Sequence, residues 1–308
     1  MGADVDTAVC ALLRGELAIL PTETVYGLAC DAGSPRAVAA VFAAKGRPQF
    51  NPLIAHVTGL EAALAIADLD PRAQRLAGAF WPGPLTLVAP VTDTAAVCEL
   101  ARAGLDTVAV RAPEHPIAQA VLRRLGRPVA APSANRSGRP SPTTFADAVE
   151  ETGAFAAAAL DGGPCRVGLE STVLGVTDGE LVLLRPGAVT REAIEQVAGR
   201  IASGLGEGHR SPGRLARHYA PSKPLRLEVE APTPGAAYLA FGTAPSGRSL
   251  TWNLSPSRDL AEAAANLFAW LRAADRSTAA GIEVAPIPHN GLGEAINDRL
   301  QRAAGRVG

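Results

Sequence analysis

LAILPTETVYGLACDAGSPRAVAAVFAAKGRPQFNPLIAH, residues 17–56, sets the architecture of the first half of the chain. The apolar run Leu17 to Leu20 is short enough for a buried strand. Pro21 ends it, because proline has no N–H for a ladder. Thr22, Glu23, Thr24 and Tyr26 then form a hydrogen-bonding turn, with Gly27 behind them. Ser34-Pro35 opens a helix, with serine as cap and proline at the first position. Val38, Val41 and Phe42 give that helix its apolar face, and Gly46 ends it. Lys45 and Arg47 sit at its end, followed by Asn51 and a second apolar run closing on His56. Cations beside a turn full of hydroxyls suit an anionic ligand, since lysine offers a point charge and arginine a planar fork. A solvated helix end fits this stretch equally well.

Working outward, residues 4–14 read as a first helix and Pro71 starts another that carries Leu76 and Phe80. The turn at Trp81-Pro82-Gly83-Pro84 hands over to a strand, Leu85 to Val91, and a further run from Thr107 to Val110 closes on Arg111. A helix follows to Leu125, then a short strand, Val129 to Ala131. The next loop, PSANRSGRPSP, alternates Ser133, Asn135, Ser137 and Ser141 with Pro, Gly and Arg. Its composition excludes it from a core, and it offers hydroxyls, an amide and close backbone approach at Gly138, which suit phosphate oxygens. Strand ends at Pro21, Arg111 and Pro132 all lead into polar turns, and in open α/β sheets ligands collect beyond the carboxyl ends of strands. Gly168-Leu169-Glu170-Ser171-Thr172-Val173 is another polar turn entering a strand. The strand Leu181 to Leu184 again stops on an arginine, Arg185, and a helix from Thr190 to Val197 closes the first domain.

These signals divide the chain into a domain at 1–198, a linker at 199–224 and a small α/β, Rossmann-like domain at 225–308. The linker has too few apolar residues for a core element, yet Arg214, Arg217, His218 and Tyr219 are more than a spacer needs. They suit a lid folded back over the first domain. Gly291 and Gly293 before the last helix read as helix-start packing, since a lone G-x-G is weak as a dinucleotide signature.

Composition narrows the function. Of 308 residues, 47% are hydrophobic and only 4% aromatic, so the cores are built from Ala, Val and Leu. Basic residues number 29 and acidic residues 30, which excludes a general nucleic-acid coat. Cys10, Cys30, Cys98 and Cys165 are scattered with no C-x-x-C, and read as reduced core thiols of a cytoplasmic protein. No apolar run approaches the roughly 20 residues that cross a bilayer. Walker-type, H-E-x-x-H and G-x-S-x-G motifs are missing, and the histidines stand apart, so covalent or zinc chemistry has no visible machinery.

PTETVYGL, KGRPQFNPLIAH, VAVRAPEHP and APSANRSGRPSPT, in this order, closely resemble the YrdC family. With SPGRLARHYAP and the C-terminal α/β domain, the resemblance extends over the whole chain, in the long two-domain form. It implies a twisted open α/β sheet with a large concave cavity. It also implies an enzyme making threonylcarbamoyl-AMP and pyrophosphate from L-threonine, bicarbonate and ATP, with Mg2+ held mainly by the ATP phosphates. The product would serve tRNA modification through a downstream threonylcarbamoyl transferase, and the positive cavity implies at most weak RNA binding. On matching positions, threonine would meet Thr24, His56, Arg111, the backbone of Ala131, and Ser171. ATP would meet the catalytic pair Lys45 and Arg47, then Asn51, Thr107, Ser133, Asn135, Ser141 and Arg185, with Tyr219 closing over it. One departure stands out: many relatives continue Glu-Ser-Thr-Val with Val-Asp, where this chain has Leu174-Gly175.

Overall fold

A computed structural model describes residues 2–177, 180–203, 218–246 and 250–305. The linker arginines at 214 and 217 lie outside the described residues. The chain enters through α1 (Gly2–Leu13), β1 (Leu17–Leu20), β2 (Gly27–Asp31), α2 (Pro35–Lys45) and β3 (Ile54–His56). The α2 signals act as the sequence implies. The Ser34 hydroxyl accepts the Ala37 N–H, Pro35 fills the first turn, and Gly46 ends the helix at φ 57°. The β2 strand was not foreseen. Its Gly-Leu-Ala-Cys-Asp run is buried throughout and reads as a turn only until β1 pairs with it, Leu20 opposite Gly27.

Next come α3 (Leu60–Leu64), α4 (Pro71–Phe80), β4 (Leu85–Pro90), α5 (Glu99–Arg102), β5 (Thr107–Arg111), α6 (Pro116–Leu125) and β6 (Val129–Ala130). Then follow α7 (Phe145–Thr152), β7 (Ala156–Ala159), β8 (Thr172–Thr177), β9 (Glu180–Arg185), α8 (Arg191–Ala198) and β10 (Ala202–Ser203). The ten strands form one mixed sheet in the order β10-β9-β8-β4-β5-β3-β6-β2-β1-β7. β10 belongs to the stretch read as linker, where buried Ile201 and pairing with β9 draw it onto the sheet edge.

Register decides which parts of the sheet are covered. In β1, Leu17 and Ile19 enter the core under α2, while Ala18 and Leu20 face α1 and α6. The face holding Ala18 and Leu20 continues through Ala29 and Val129 to His56, Ile54, Ala109 and Arg111. Beyond β6 its apolar residues, Val88, Ala109, Val173 and Leu184 with Ile54 and Val182, pack only among themselves. No residue of a helix joins that cluster. Among the described residues, no helix of the first domain therefore covers this half of the sheet face.

The second domain contains β11 (Leu225–Arg226), β12 (Ala237–Phe241), β13 (Thr251–Ser255), α9 (Leu260–Arg276), β14 (Ile282–Val284) and α10 (Leu292–Ala303). Its four strands are all parallel, ordered β11-β14-β12-β13, with α9 and α10 packed on them. Val25, Leu169 and Tyr219 join its core, so the two domains share an apolar seam. Gly168, at φ 71°, lets α9 pass so close that a Cβ there would lie 2.5 Å from the Ala265 Cα. Three of the cysteines are buried as expected. Cys10 is exposed, because its position on α1 turns away from the sheet.

Candidate active site

The bare half-face is the floor of a basin. Lining it are Thr24, Arg47, His56, Arg111, the Ala131–Ser133 backbone segment, Glu170, Ser171 and Arg185, with His218 and Tyr219 above. Nine of the residues expected from sequence therefore meet in one place. Lys45, Asn51, Asn135 and Ser141 stand just behind this lining. Thr107 lies on the same face of β5 as Arg111 but roughly 13 Å further along the strand.

The three strand ends do not share an edge. β3 and β5 are parallel, whereas β6 runs antiparallel to β3, so the Pro132 end and the Arg111 end lie on opposite sides of the sheet. The β1–β2 turn instead crosses the face. Arg111 donates from Nη1 to Thr24 Oγ1 at 3.0 Å and pairs through Nη2 with Glu23 Oε1 at 2.6 Å. It also donates to the Gly83 carbonyl. Glu23, with no role in the sequence reading, completes the clamp by accepting the Glu114 N–H. Burial acts to raise the Glu23 pKa, but the Arg111 guanidinium outweighs it and holds the carboxyl below its usual range. Thr22 and Thr24 share a hydroxyl hydrogen bond at 2.8 Å.

His56 Nδ1 lies 3.1 Å from the Ile54 carbonyl. Burial, reinforced by Arg111, lowers its pKa to about 4, so the ring is neutral at pH 7. A neutral ring donating from Nδ1 keeps Nε2 as an acceptor. Across the floor, the Ser171 and Thr86 hydroxyls pair at 2.7 Å, and Arg185 donates to the Ser171 carbonyl at 2.8 Å.

The α2 end carries the least compensated charge. Lys45 is buried, and its ammonium donates to the carbonyls of Ser133 and Asn135. Burial, then the neighbouring Arg47, pushes its pKa well below the ordinary value. Arg47, half-buried, donates to the carbonyls of Asn51 and Pro52 at 3.2 and 3.0 Å, and burial lowers its pKa to about 10. Among the described residues neither forms an ion pair with a carboxylate.

The loop 132–142 is not the surface turn its composition suggests. Ala134, Asn135 and Ser141 are buried, because its backbone is used up by neighbours. Pro132 and Pro142 accept N–H groups from Leu28 and Tyr26, and Ser137 donates to the Lys45 carbonyl. Among the described residues, Asn51 Oδ1, Asn135 Oδ1 and His218 Nδ1 are buried with no hydrogen-bond partner. Buried polar atoms are seldom left so.

His218 and Tyr219 lie over the basin. Ala220 donates to the Gly138 carbonyl at 2.7 Å. Tyr219 is fully buried, lies 5.4 Å from the Phe268 ring and takes the Arg299 guanidinium over its face at 5.3 Å. Its φ of 60° is one that a bulky side chain rarely adopts. With His218 and Tyr219 in place the basin holds only ≈ 50 Å³. Glu170 and Arg299 escaped the sequence reading, since nothing in an ordinary helix such as α10 marks one arginine among others. At Gly175 a Cβ would meet Leu184 at 3.2 Å, so the family's aspartate there would press on the apolar floor.

An open mixed sheet with hydroxyls and cations gathered on one bare half-face is the arrangement of the Sua5/YciO/YrdC family, to which the chain belongs. The family described as "Telomere recombination" (Sua5, YciO, YrdC) matches residues 10–187, and "Threonylcarbamoyl-AMP synthase, C-terminal domain" matches residues 189–305. The threonylcarbamoyl-AMP synthase of Bacillus subtilis is 39% identical over 96% of this chain and 91% of its own. That of Vibrio parahaemolyticus is 34% identical over 49% of this chain and 83% of its own. The crystal structure of Pyrococcus abyssi Sua5 complexed with L-threonine superposes with a TM-score of 0.90 at 38% identity, covering 98% of this chain and 94% of that one.

Proposed function

We propose that the basin condenses L-threonine, bicarbonate and ATP into threonylcarbamoyl-AMP and pyrophosphate. One observation carries the reading above all: buried Lys45 and half-buried Arg47 stand beside the basin with, among the described residues, only backbone carbonyls for partners. Charges held this way keep their field for an anionic ligand. The unpartnered amide oxygens of Asn51 and Asn135 accept only, so the ribose hydroxyls or adenine amino group of the nucleotide, not its phosphates, would supply them with partners.

Threonine sits among Thr24, His56, Arg111, Ala131 and Ser171. Neutral His56 can accept from its ammonium without repelling it. The free amine adds to bicarbonate and water is lost, giving a carbamate. A carbamate oxygen then attacks the α-phosphorus in line, and the bond to pyrophosphate breaks. Lys45, Arg47 and Arg185 hold the triphosphate and offset its growing charge. Ile54, which lines the basin, offers an apolar contact for the base, backed by the buried Val88, Ala109, Val173 and Leu184. Mg2+ supplies further charge neutralisation on the phosphate oxygens. When bound, the ion would be held mainly by the phosphate oxygens and waters, as magnesium usually is.

Small-molecule sites usually span about 300–1,000 Å³. The nucleotide therefore needs the His218–Tyr219 strap to withdraw, and the strained Tyr219 backbone eases that step. The product is an activated acyl donor, suited to a separate transferase acting on tRNA. No helix among the described residues is long and apolar enough to cross a membrane. The test is pyrophosphate release by the full chain. Release should require threonine and bicarbonate together, and equal release without threonine refutes the reading.

A further inference from the structure

We infer that Arg299, on the second domain, is a positioning residue for the nucleotide half of the basin: it holds Glu170 away from Arg185. The inference rests on the proposed function and adds a role for the second domain.

Glu170 presents a problem to any anion-binding basin. It lines the cavity beside Arg185, one residue before Ser171, whose carbonyl Arg185 grips. A bare carboxylate there would pair with Arg185 and repel phosphate. Arg299 prevents this. Its guanidinium is completely buried and donates from Nε to Glu170 Oε2 at 2.8 Å. The other Glu170 oxygen takes the Ser141 hydroxyl, so both are occupied away from the cavity. Arg299 is itself fixed by Asp298 at 2.6 Å and by the Pro186 carbonyl at 3.0 Å. Its face covers Tyr219. One α10 side chain thus touches the carboxylate, the lid and the turn after β9. Arg299 is always cationic, so the pairing lasts for as long as Glu170 is ionised.

Ser141 shows what the latch shapes. It belongs to the loop bearing Ser133 and Asn135, and its hydroxyl points where Glu170 directs it. Without Arg299, Glu170 would turn to the nearest remaining cation, Arg185. The loop would lose its anchor and the basin one of its cations together. Threonine, whose contacts at Thr24, His56, Arg111 and Ala131 lie away from Arg185 and of which only Ser171 adjoins it, would be affected far less.

A double-mutant cycle on the full chain tests this. Calorimetry with a non-hydrolysable ATP analogue and, separately, with L-threonine reads binding without turnover, so a failure of the proposed reaction cannot mimic a failure of the latch. Arg299→Met should weaken the analogue at least tenfold and threonine less than twofold. Adding Glu170→Gln, which removes the carboxylate that captures Arg185, should recover more than half of that loss on a logarithmic scale. A merely structural role gives a double variant as weak as the single one, or weaker. That result overturns the inference, as does wild-type analogue affinity in Arg299→Met. If Arg299→Met does not fold, Arg299→Gln carries the same cycle, with the same expected and overturning results.

Discussion

Two sets of buried cations lie within one molecule and are treated in opposite ways. At the domain seam Arg272 reaches Glu151 at 3.0 Å and the Pro140 carbonyl, and Arg299 reaches Glu170. In the basin, Lys45 and Arg47 touch, among the described residues, only backbone carbonyls. Seam arginines are closed by carboxylates and hold the domains together. Lys45 and Arg47 keep their charge for a ligand, at a cost to the empty fold, whereas Arg111 in the same basin is closed by Glu23. The contrast lies in the partner, since both sets combine the same residue types with burial.

The largest effect expected is on chemistry. Arg47→Ala should cost about 2.7–4 kcal/mol of transition-state stabilisation, a fall of 10²–10³ in turnover. The melting temperature should hold or rise, because a desolvated charge without a carboxylate is lost. A sharply lower melting temperature would place Arg47 with the structural set. Arg272→Met should do the reverse, lowering the unfolding free energy by about 3 kcal/mol in urea titration. That is the low end for a broken buried pair, because Arg136 and Arg139 still face Glu151.

Acid separates the two regions as well. His56 has a folded pKa of about 4 against 6.5 unfolded. Its contribution is complete above pH 6.5 and is lost as pH falls toward 4, because the unfolded chain binds the proton first. Moving from pH 7.5 to 5 should remove about 2 kcal/mol through this residue, and His56→Asn should flatten that slope. His218, lowered by burial to about 3, adds in the same direction. Burial acts to raise the pKa of Glu151 and Glu170; backbone hydrogen bonding and arginines outweigh it at Glu151, and Arg299 leads at Glu170, so both are lowered. Their contribution is present above the unfolded value near 4.5, so the seam is spared in that window. The smallest effect concerns a neutral group. Ser171→Ala loses the hydroxyl paired with Thr86, worth about 1 kcal/mol, and should raise the KM for threonine several-fold while leaving that for ATP.

The local signals were legible because they act over a few residues. Ser34, Pro35 and Gly46 bound α2 as their side-chain chemistry requires, and that places Lys45 and Arg47 at its end. The polar turn at 22–26 was readable as a binding element. The loop at 132–142 was readable as polar and rich in hydroxyls but not as buried structure, since its burial depends on hydrogen bonds to Tyr26, Leu28 and Lys45 far away in the chain. Glu23, Glu170 and Arg299 carried no local mark, because a carboxylate's role depends on which guanidinium arrives beside it.

The sequence by itself determined the elements, the two-domain division and the supply of cations and hydroxyls, all consequences of periodicity, capping and residue chemistry. The tertiary structure alone decided which half of the sheet face stays bare, which cations are left for a ligand and which are closed by carboxylates. Those outcomes follow from strand register and from contacts more than a hundred residues apart, where small differences in pairing move every side chain to one face or the other.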